Sequence, residues 1–270
     1  MDKEMASSFQ IISTLRYDPA LPNVLRASPS ESYPDTLCTP YYLLPYHQDR
    51  LLSAAQCFKW QAAIEFLEKD RDQFLQFLDT FIPDKTKPWR LRIVIDQHGV
   101  GTVEANPTTT IDLSGLLVPS ETNTSSSPWR VYVDTQPTTP SAFTTHKTTA
   151  RDDYTSARLR SGIQSPQEQA EVLVVNPQGE IMEGSITTPY FRRKESVSET
   201  DDRAGQAIGP DWITPPLSSG GNAGTTRRYA LAQGFCTEKI IRATDLIDGE
   251  ECWLSNGARG FIRGIVVLKG

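Results

Sequence analysis

The chain is poor in residues that staple a fold or hold a metal. Its 270 residues include only four cysteines and three histidines. Cys38, Cys57, Cys236 and Cys252 are widely scattered, with no CxxC and no Cys/His spacing of a zinc site. Four reduced thiols are therefore expected, not disulfides. His47, His98 and His146 are too dispersed for a metal centre, and none is expected. There is no apolar run of about 18 residues, so no transmembrane helix is expected. The start, Met1-Asp2-Lys3-Glu4, is charged and leads into no long apolar stretch. It does not read as a secretory signal, and a cytoplasmic location is expected. The sequon Asn123-Thr124-Ser125 then reads only as a loop. A net charge of −6 leaves no basic footprint for nucleic acid. What the chain does have is length enough for a substantial core without staples.

Periodicity supplies the elements. Residues 9–17 read as a strand, followed by a Pro- and Ser-rich loop over 18–40. Apolar residues at helical spacing predict a helix over 41–58 and a second over 60–81, stopped by Pro83 and Pro88. Residues 90–96 and 100–105 read as a hairpin across Gln97-His98-Gly99, and 119–128 as a polar loop. A strand at 129–134 closes a first unit, residues 1–134, and the Thr/Pro-rich stretch 135–142 reads as a linker. The second unit, 143–270, opens with a helix over 148–161. Strands follow at 171–176, 181–192, 212–214, 251–255 and 261–268, with an exposed loop over 193–211 and a helix over 225–233. The expected class is mixed α/β: a sheet with two packed helices, then a barrel-like, β-rich unit.

A few residues suggest chemistry. A buried lysine amine, as Lys147 would be, can form an imine with an aldehyde, and a carboxylate such as Glu183 can keep a ring nitrogen protonated. Gly224-Thr225-Thr226-Arg227 puts a Gly-rich loop at a helix start, where free N–H groups and the helix dipole favour a phosphate. His47 and Arg50 share a helix face, and a guanidinium can clamp phosphate. Each has an ordinary alternative: a surface lysine, a solvated strand-end carboxylate, a plain capped helix, a solvated arginine. Their occurrence together, in this order, is what carries weight.

That order resembles the fold-type IV enzymes of pyridoxal 5'-phosphate (PLP), the class IV aminotransferase group. It holds branched-chain and D-amino-acid aminotransferases and aminodeoxychorismate lyases. The resemblance runs through His47-Gln48-Asp49-Arg50-Leu51, Lys147 with Arg151, Glu183-Gly184-Ser185, Trp212-Ile213-Thr214-Pro215, Gly224-Thr225-Thr226-Arg227 and Leu254-Ser255-Asn256-Gly257. His146-Lys147-Thr148-Thr149, Arg151, Tyr154 and Ser255-Asn256-Gly257 with Arg259 are most similar to the fungal-type lyase branch. The resemblance implies PLP on Lys147, its ring nitrogen at Glu183, and its phosphate at Arg50, Thr225, Thr226 and Asn256. It implies substrate contacts at Arg151, Tyr154 and Arg259, with Arg16, Arg90 and Arg92 as further unranked arginines. It also implies a homodimer and release of 4-aminobenzoate, a folate precursor, and pyruvate from 4-amino-4-deoxychorismate. An aminotransferase acting on branched-chain amino acids, D-amino acids or amines, and a non-catalytic relative, share the same motifs. The chain departs from many relatives at Thr188, where they carry asparagine.

Overall fold

The computed structural model describes residues 9–35, 37–119, 127–165, 167–193 and 211–268. The sequon, most of the expected loop over 119–128 and most of that over 193–211 lie outside them. Among the described residues no helix is long and apolar enough to cross a membrane, and no three His, Cys, Asp or Glu side chains cluster as a metal site.

The first sheet is an antiparallel meander of β1 (Ile11–Tyr17), β2 (Trp89–Ile95) and β3 (Gly101–Pro107). Between β1 and β2 run α1 (Leu21–Ala27), α2 (Leu44–Cys57), α3 (Gln61–Leu67) and α4 (Arg71–Asp79). Leu15, Leu91 and Ile93 of the sheet bury against Leu44, Leu51, Ala54, Ala63, Leu67, Phe74 and Leu78 of the helices. Each large side chain buried in this way contributes about 1.5–3 kcal/mol.

Two expectations change here. The Pro/Ser-rich stretch holds a short helix, α1, with Pro22 in its first turn, a position that needs no backbone donor. The helix expected over 60–81 is broken into α3 and α4, because the Asp70 carboxylate accepts from Gln73 N at 2.8 Å and starts a new helix. The apolar periodicity survives the break because both pieces pack on one core.

The second sheet has eight strands, in the order β6-β5-β4-β11-β10-β7-β8-β9. These are β4 (Trp129–Val133), β5 (Ala170–Val175), β6 (Ile181–Gly184), β7 (Thr188–Arg192), β8 (Trp212–Thr214), β9 (Cys236–Glu238), β10 (Glu251–Asn256) and β11 (Gly260–Val266). The sequence assigns 129–134 to the first unit. Instead β4 pairs in parallel with β11 and β5, so sheet membership changes before residue 129. Strand alternation cannot reveal which sheet a strand joins. The segment expected as one strand over 181–192 is two, β6 and β7, joined by Ser185–Thr187. Those strands hold the first and sixth places in the sheet. In a flat sheet they would lie about 24 Å apart at about 4.8 Å per strand. The short connection spans at most about 14 Å. The sheet therefore curls until these strands approach.

Helix α5 (Ala142–Thr145) sets Phe143 against Phe9 and Phe58, while α6 (Asp152–Arg160) and α7 (Thr225–Ala232) pack on this sheet. The helix expected from residue 148 starts only at Asp152, because residues 147–149 run extended along β1. Ile12 N donates to Lys147 O at 2.9 Å, and Thr149 N to Gln10 O at 2.9 Å. That pairing ties the Lys147 segment to the small sheet.

Candidate active site

A cavity of about 540 Å³ is walled by both sheets. Thr14 of β1, Arg50 of α2 and Arg90 of β2 face it from one side, and Lys147, Glu183, Thr225 and Thr226 from the other. Arg151, Asn256 and Arg259 also line it. The structure thus brings every site residue expected from the sequence to one cavity, except Tyr154. Of the unranked arginines, only Arg90 lines the cavity. Arg16 is buried against Asp18, and Arg92 pairs with Glu104.

Arg50 is held by its own helix and by β1. Its guanidinium donates to Ser13 Oγ at 2.5 Å, and Ser13 Oγ lies 2.7 Å from His47 Nδ1. Arginine can only donate, so Ser13 Oγ is its acceptor, and His47 Nε2 is buried with no partner. Burial, then the charges of Arg50 and Lys147, push the His47 pKa down and keep it neutral. On α7, Arg228 donates to Asp49 at 2.9 Å and lies over the Tyr46 ring at 4.3 Å. These contacts fasten the start of α7, with Thr225 and Thr226, to the helix that carries Arg50.

Glu183 ends β6. Tyr154 Oη donates to Glu183 Oε1 at 2.5 Å, and the Arg151 guanidinium lies 4.0 Å from the Tyr154 ring centre. Tyr154 is buried behind the carboxylate and does not line the cavity, which corrects its expected substrate contact. Sequence spacing gave its neighbourhood but not its direction. Burial raises the Glu183 pKa, while Tyr154, Arg151 and Lys147 act the other way.

Lys147 lies in the field of Arg151 and Arg50. Burial first, then those guanidiniums, push its amine down to about 7 from 10.5. Between those two pH values the unfolded chain binds more protons than the folded one at this residue, so its contribution to stability rises with pH across that window. The amine itself is half neutral near pH 7. Labelling of Lys147 by an acylating reagent, followed by mass spectrometry, is expected to rise between pH 6 and 8. A midpoint near pH 10 would contradict this.

Other side chains were less legible. Asn256 Oδ1 accepts from Ala258 N and Arg259 N at 3.1 and 2.9 Å, and its Nδ2 donates to Ile186 O at 3.4 Å. Its amide therefore braces the turn after β10 as well as lining the cavity. Arg259 lies over the Trp129 ring at 5.2 Å, and burial and Arg90 lower its pKa. Thr226 Oγ1 accepts from Ser255 Oγ at 2.8 Å, whereas Thr225 Oγ1 and Asn222 Oδ1 are buried with no partner. The sequence names Ser255 only within the Leu254–Gly257 turn and gives neither it nor Asn222 a role, since a lone Asn or Ser carries no spacing signal.

The chain is 31% identical over 236 residues to the aminodeoxychorismate lyase of Saccharomyces cerevisiae, a match covering 83% of this chain and 56% of the yeast protein. In fold it is similar to a Mesorhizobium loti protein described provisionally as an amino-acid aminotransferase (TM-score 0.66, 23% identity, 96% of this chain and 100% of that one). It is also similar to the PLP-bound form of a hypothetical aminotransferase from Mycobacterium tuberculosis (TM-score 0.55, 16% identity, 100% of this chain and 86% of that one). The model of the amino-transferase class IV family matches residues 38–265, a span that holds every cavity residue from Arg50 to Arg259, and the chain belongs to that family.

Proposed function

We propose that this chain is a PLP-dependent lyase that converts 4-amino-4-deoxychorismate to 4-aminobenzoate and pyruvate, acting as a cytoplasmic homodimer. The observation that carries the reading is one cavity holding a near-neutral lysine, a half-buried carboxylate and a cup formed by Arg50, Thr225 and Thr226. The yeast relative supports the choice of substrate.

The residues fit PLP on their own chemistry. Thr225 Oγ1 and Arg50 Nε are buried without partners, next to the first turn of α7, whose leading N–H groups have no helical acceptor. A side chain at 224 would bring its Cβ to 2.8 Å from Thr188 Oγ1, so glycine keeps that cup open. At 221 a Cβ would come within 2.3 Å of Met182 O, so glycine lets this loop lie against the strand carrying Glu183. Arg50, Thr225 and Thr226 would hold the phosphate, Lys147 Nζ the aldehyde carbon, and Glu183 the ring nitrogen. When bound, PLP supplies an electron sink for the carbon that carries the substrate amine.

The protein groups divide the remaining work. The Lys147 amine, half neutral near pH 7, takes the proton from that carbon. Glu183, fixed at Oε1 by Tyr154, would set its charge against the ring nitrogen and hold the proton there. Arg90 and Arg259 stand on the cavity wall where a second carboxylate of the substrate would lie. The leaving enolpyruvyl group takes up a proton and becomes pyruvate.

The test is a coupled assay. Given aminodeoxychorismate, the purified protein is expected to release 4-aminobenzoate and pyruvate in equal amounts. It is expected to move no amine from branched-chain or D-amino acids to 2-oxoglutarate. The opposite pattern would reassign it as an aminotransferase.

A further inference from the structure

Glu171 is a charged residue in a strand that is otherwise apolar, Ala170-Glu171-Val172-Leu173-Val174-Val175, and it is 0% exposed. Such a carboxylate is costly unless its oxygens are bonded. Here both are. Oε1 accepts from Val172 N at 2.8 Å, Ser185 N at 3.0 Å and Ser185 Oγ at 2.5 Å. Oε2 accepts from Ile186 N at 3.1 Å and Thr187 Oγ1 at 2.7 Å. Arg158 lies 3.7 Å from Oε1 and donates to Ser185 Oγ at 3.0 Å. Four of these five hydrogen bonds come from the three-residue turn between β6 and β7.

The other side of that turn belongs to the cavity. Arg151 donates to Ser185 O at 2.6 Å, and Asn256 to Ile186 O at 3.4 Å. Ser185, Ile186 and Thr187 themselves line the cavity. The same turn joins the first and sixth strands of the curled sheet and begins two residues after Glu183. Gly184 belongs to the arrangement. A Cβ there would lie 2.5 Å from Thr187 Oγ1 and 3.0 Å from Glu171 Cδ, so only glycine lets carboxylate and turn meet.

We infer that Glu171 is a positioning residue: its carboxylate grips the Ser185–Thr187 turn from behind and thereby sets Glu183, Arg151 and Asn256 around the cavity. The link to the cofactor rests on the function proposed above; the grip on the turn does not. Glutamine at 171 has the same shape but one acceptor oxygen fewer. Whichever way its amide is turned, its NH₂ meets at least one backbone N–H, Ile186 N on one side or Val172 N and Ser185 N on the other. A hydroxyl could rotate to accept, but a backbone N–H cannot.

The experiment compares wild type, Glu171→Gln, Thr187→Val and Asp134→Asn. Asp134 is the control, since it is also buried and doubly bonded to Arg160 (2.8 and 2.6 Å) but lies away from the cavity. Amide hydrogen exchange of the ligand-free proteins, read on peptides covering residues 184–188, is expected to quicken in Glu171→Gln and, less, in Thr187→Val. Asp134→Asn is expected to leave those peptides unchanged. In PLP titrations Glu171→Gln is expected to bind about tenfold more weakly, the scale of one buried donor left unpaired, and the pH midpoint of the bound cofactor's visible band to move. Asp134→Asn is expected to alter neither. If Glu171→Gln does not fold, Thr187→Val decides on the same readouts with a few-fold effect. Unchanged exchange over 184–188 overturns the inference. So does loss of PLP affinity shared equally by Asp134→Asn. A wild-type protein that takes up no PLP would sink the proposed function alone, and the exchange data would still decide the grip on the turn.

Discussion

Lys147→Ala is expected to give a folded protein that retains no PLP after borohydride reduction and releases no measurable 4-aminobenzoate. The wild-type protein, treated alike, is expected to carry a pyridoxyl group on Lys147, found by peptide mass. The fall in turnover is expected at about 10⁴-fold or more, the upper end for a general base, because the same amine also anchors the cofactor. Folding is expected to be nearly untouched. Among the described residues no acceptor bonds Lys147 Nζ, and its charged form is already disfavoured by burial and by Arg151 and Arg50. Removing it leaves no buried partner unpaired, so stability is expected to change by about 1 kcal/mol or less. Thermal unfolding checks that half. A colourless wild-type protein that gains no PLP, or a Lys147→Ala protein that still turns over, would end the proposal.

Glu183→Gln is expected to slow turnover by about 10²–10³-fold, the scale of losing one aligned electrostatic partner in a water-poor site. Glutamine fills the same volume, and its carbonyl can still accept from Tyr154 Oη. It cannot offer a negative charge to a protonated ring nitrogen. The loss is therefore expected in kcat, with KM changed little, because phosphate and substrate contacts lie on other residues. The visible band of the bound cofactor is expected to move as well. Steady-state kinetics together with spectra check both. An unchanged kcat would show that this carboxylate does not act on the ring.

Much of the scaffold could be read from pattern. The short strand at 212–214 and the helix start at Thr225 stand where local signals put them. The paired strands at 89–95 and 101–107 lie within two residues of the alternating runs that announce them. The failures have two causes. The break between α3 and α4 turns on a local Asp70 cap in the charged run 68–72, which the apolar spacing on either side masks. The late start of α6 depends on β1 capturing residues 147–149 as extended chain. The membership of β4 depends on partners 40 and 135 residues away along the chain. For these last two, no window of neighbouring residues contains the information. Glu171 did carry a sequence signal: a lone acid in a buried strand demands donors. Which donors answered it was not legible.

The sequence alone determined the chemistry on offer: a lysine, a carboxylate, an arginine on a helix face and a Gly-Thr helix start, in a recognisable order. Residue identity and short spacing are local properties, so reading them needs no fold. Only the tertiary structure decided how they work. It turned Tyr154 behind Glu183, tied the Asn256 amide to Ile186, lowered the Lys147 pKa, and gave Glu171 the turn to hold. Each of these depends on burial and on charges or hydrogen bonds from residues distant in sequence, which meet only when the curled sheet closes.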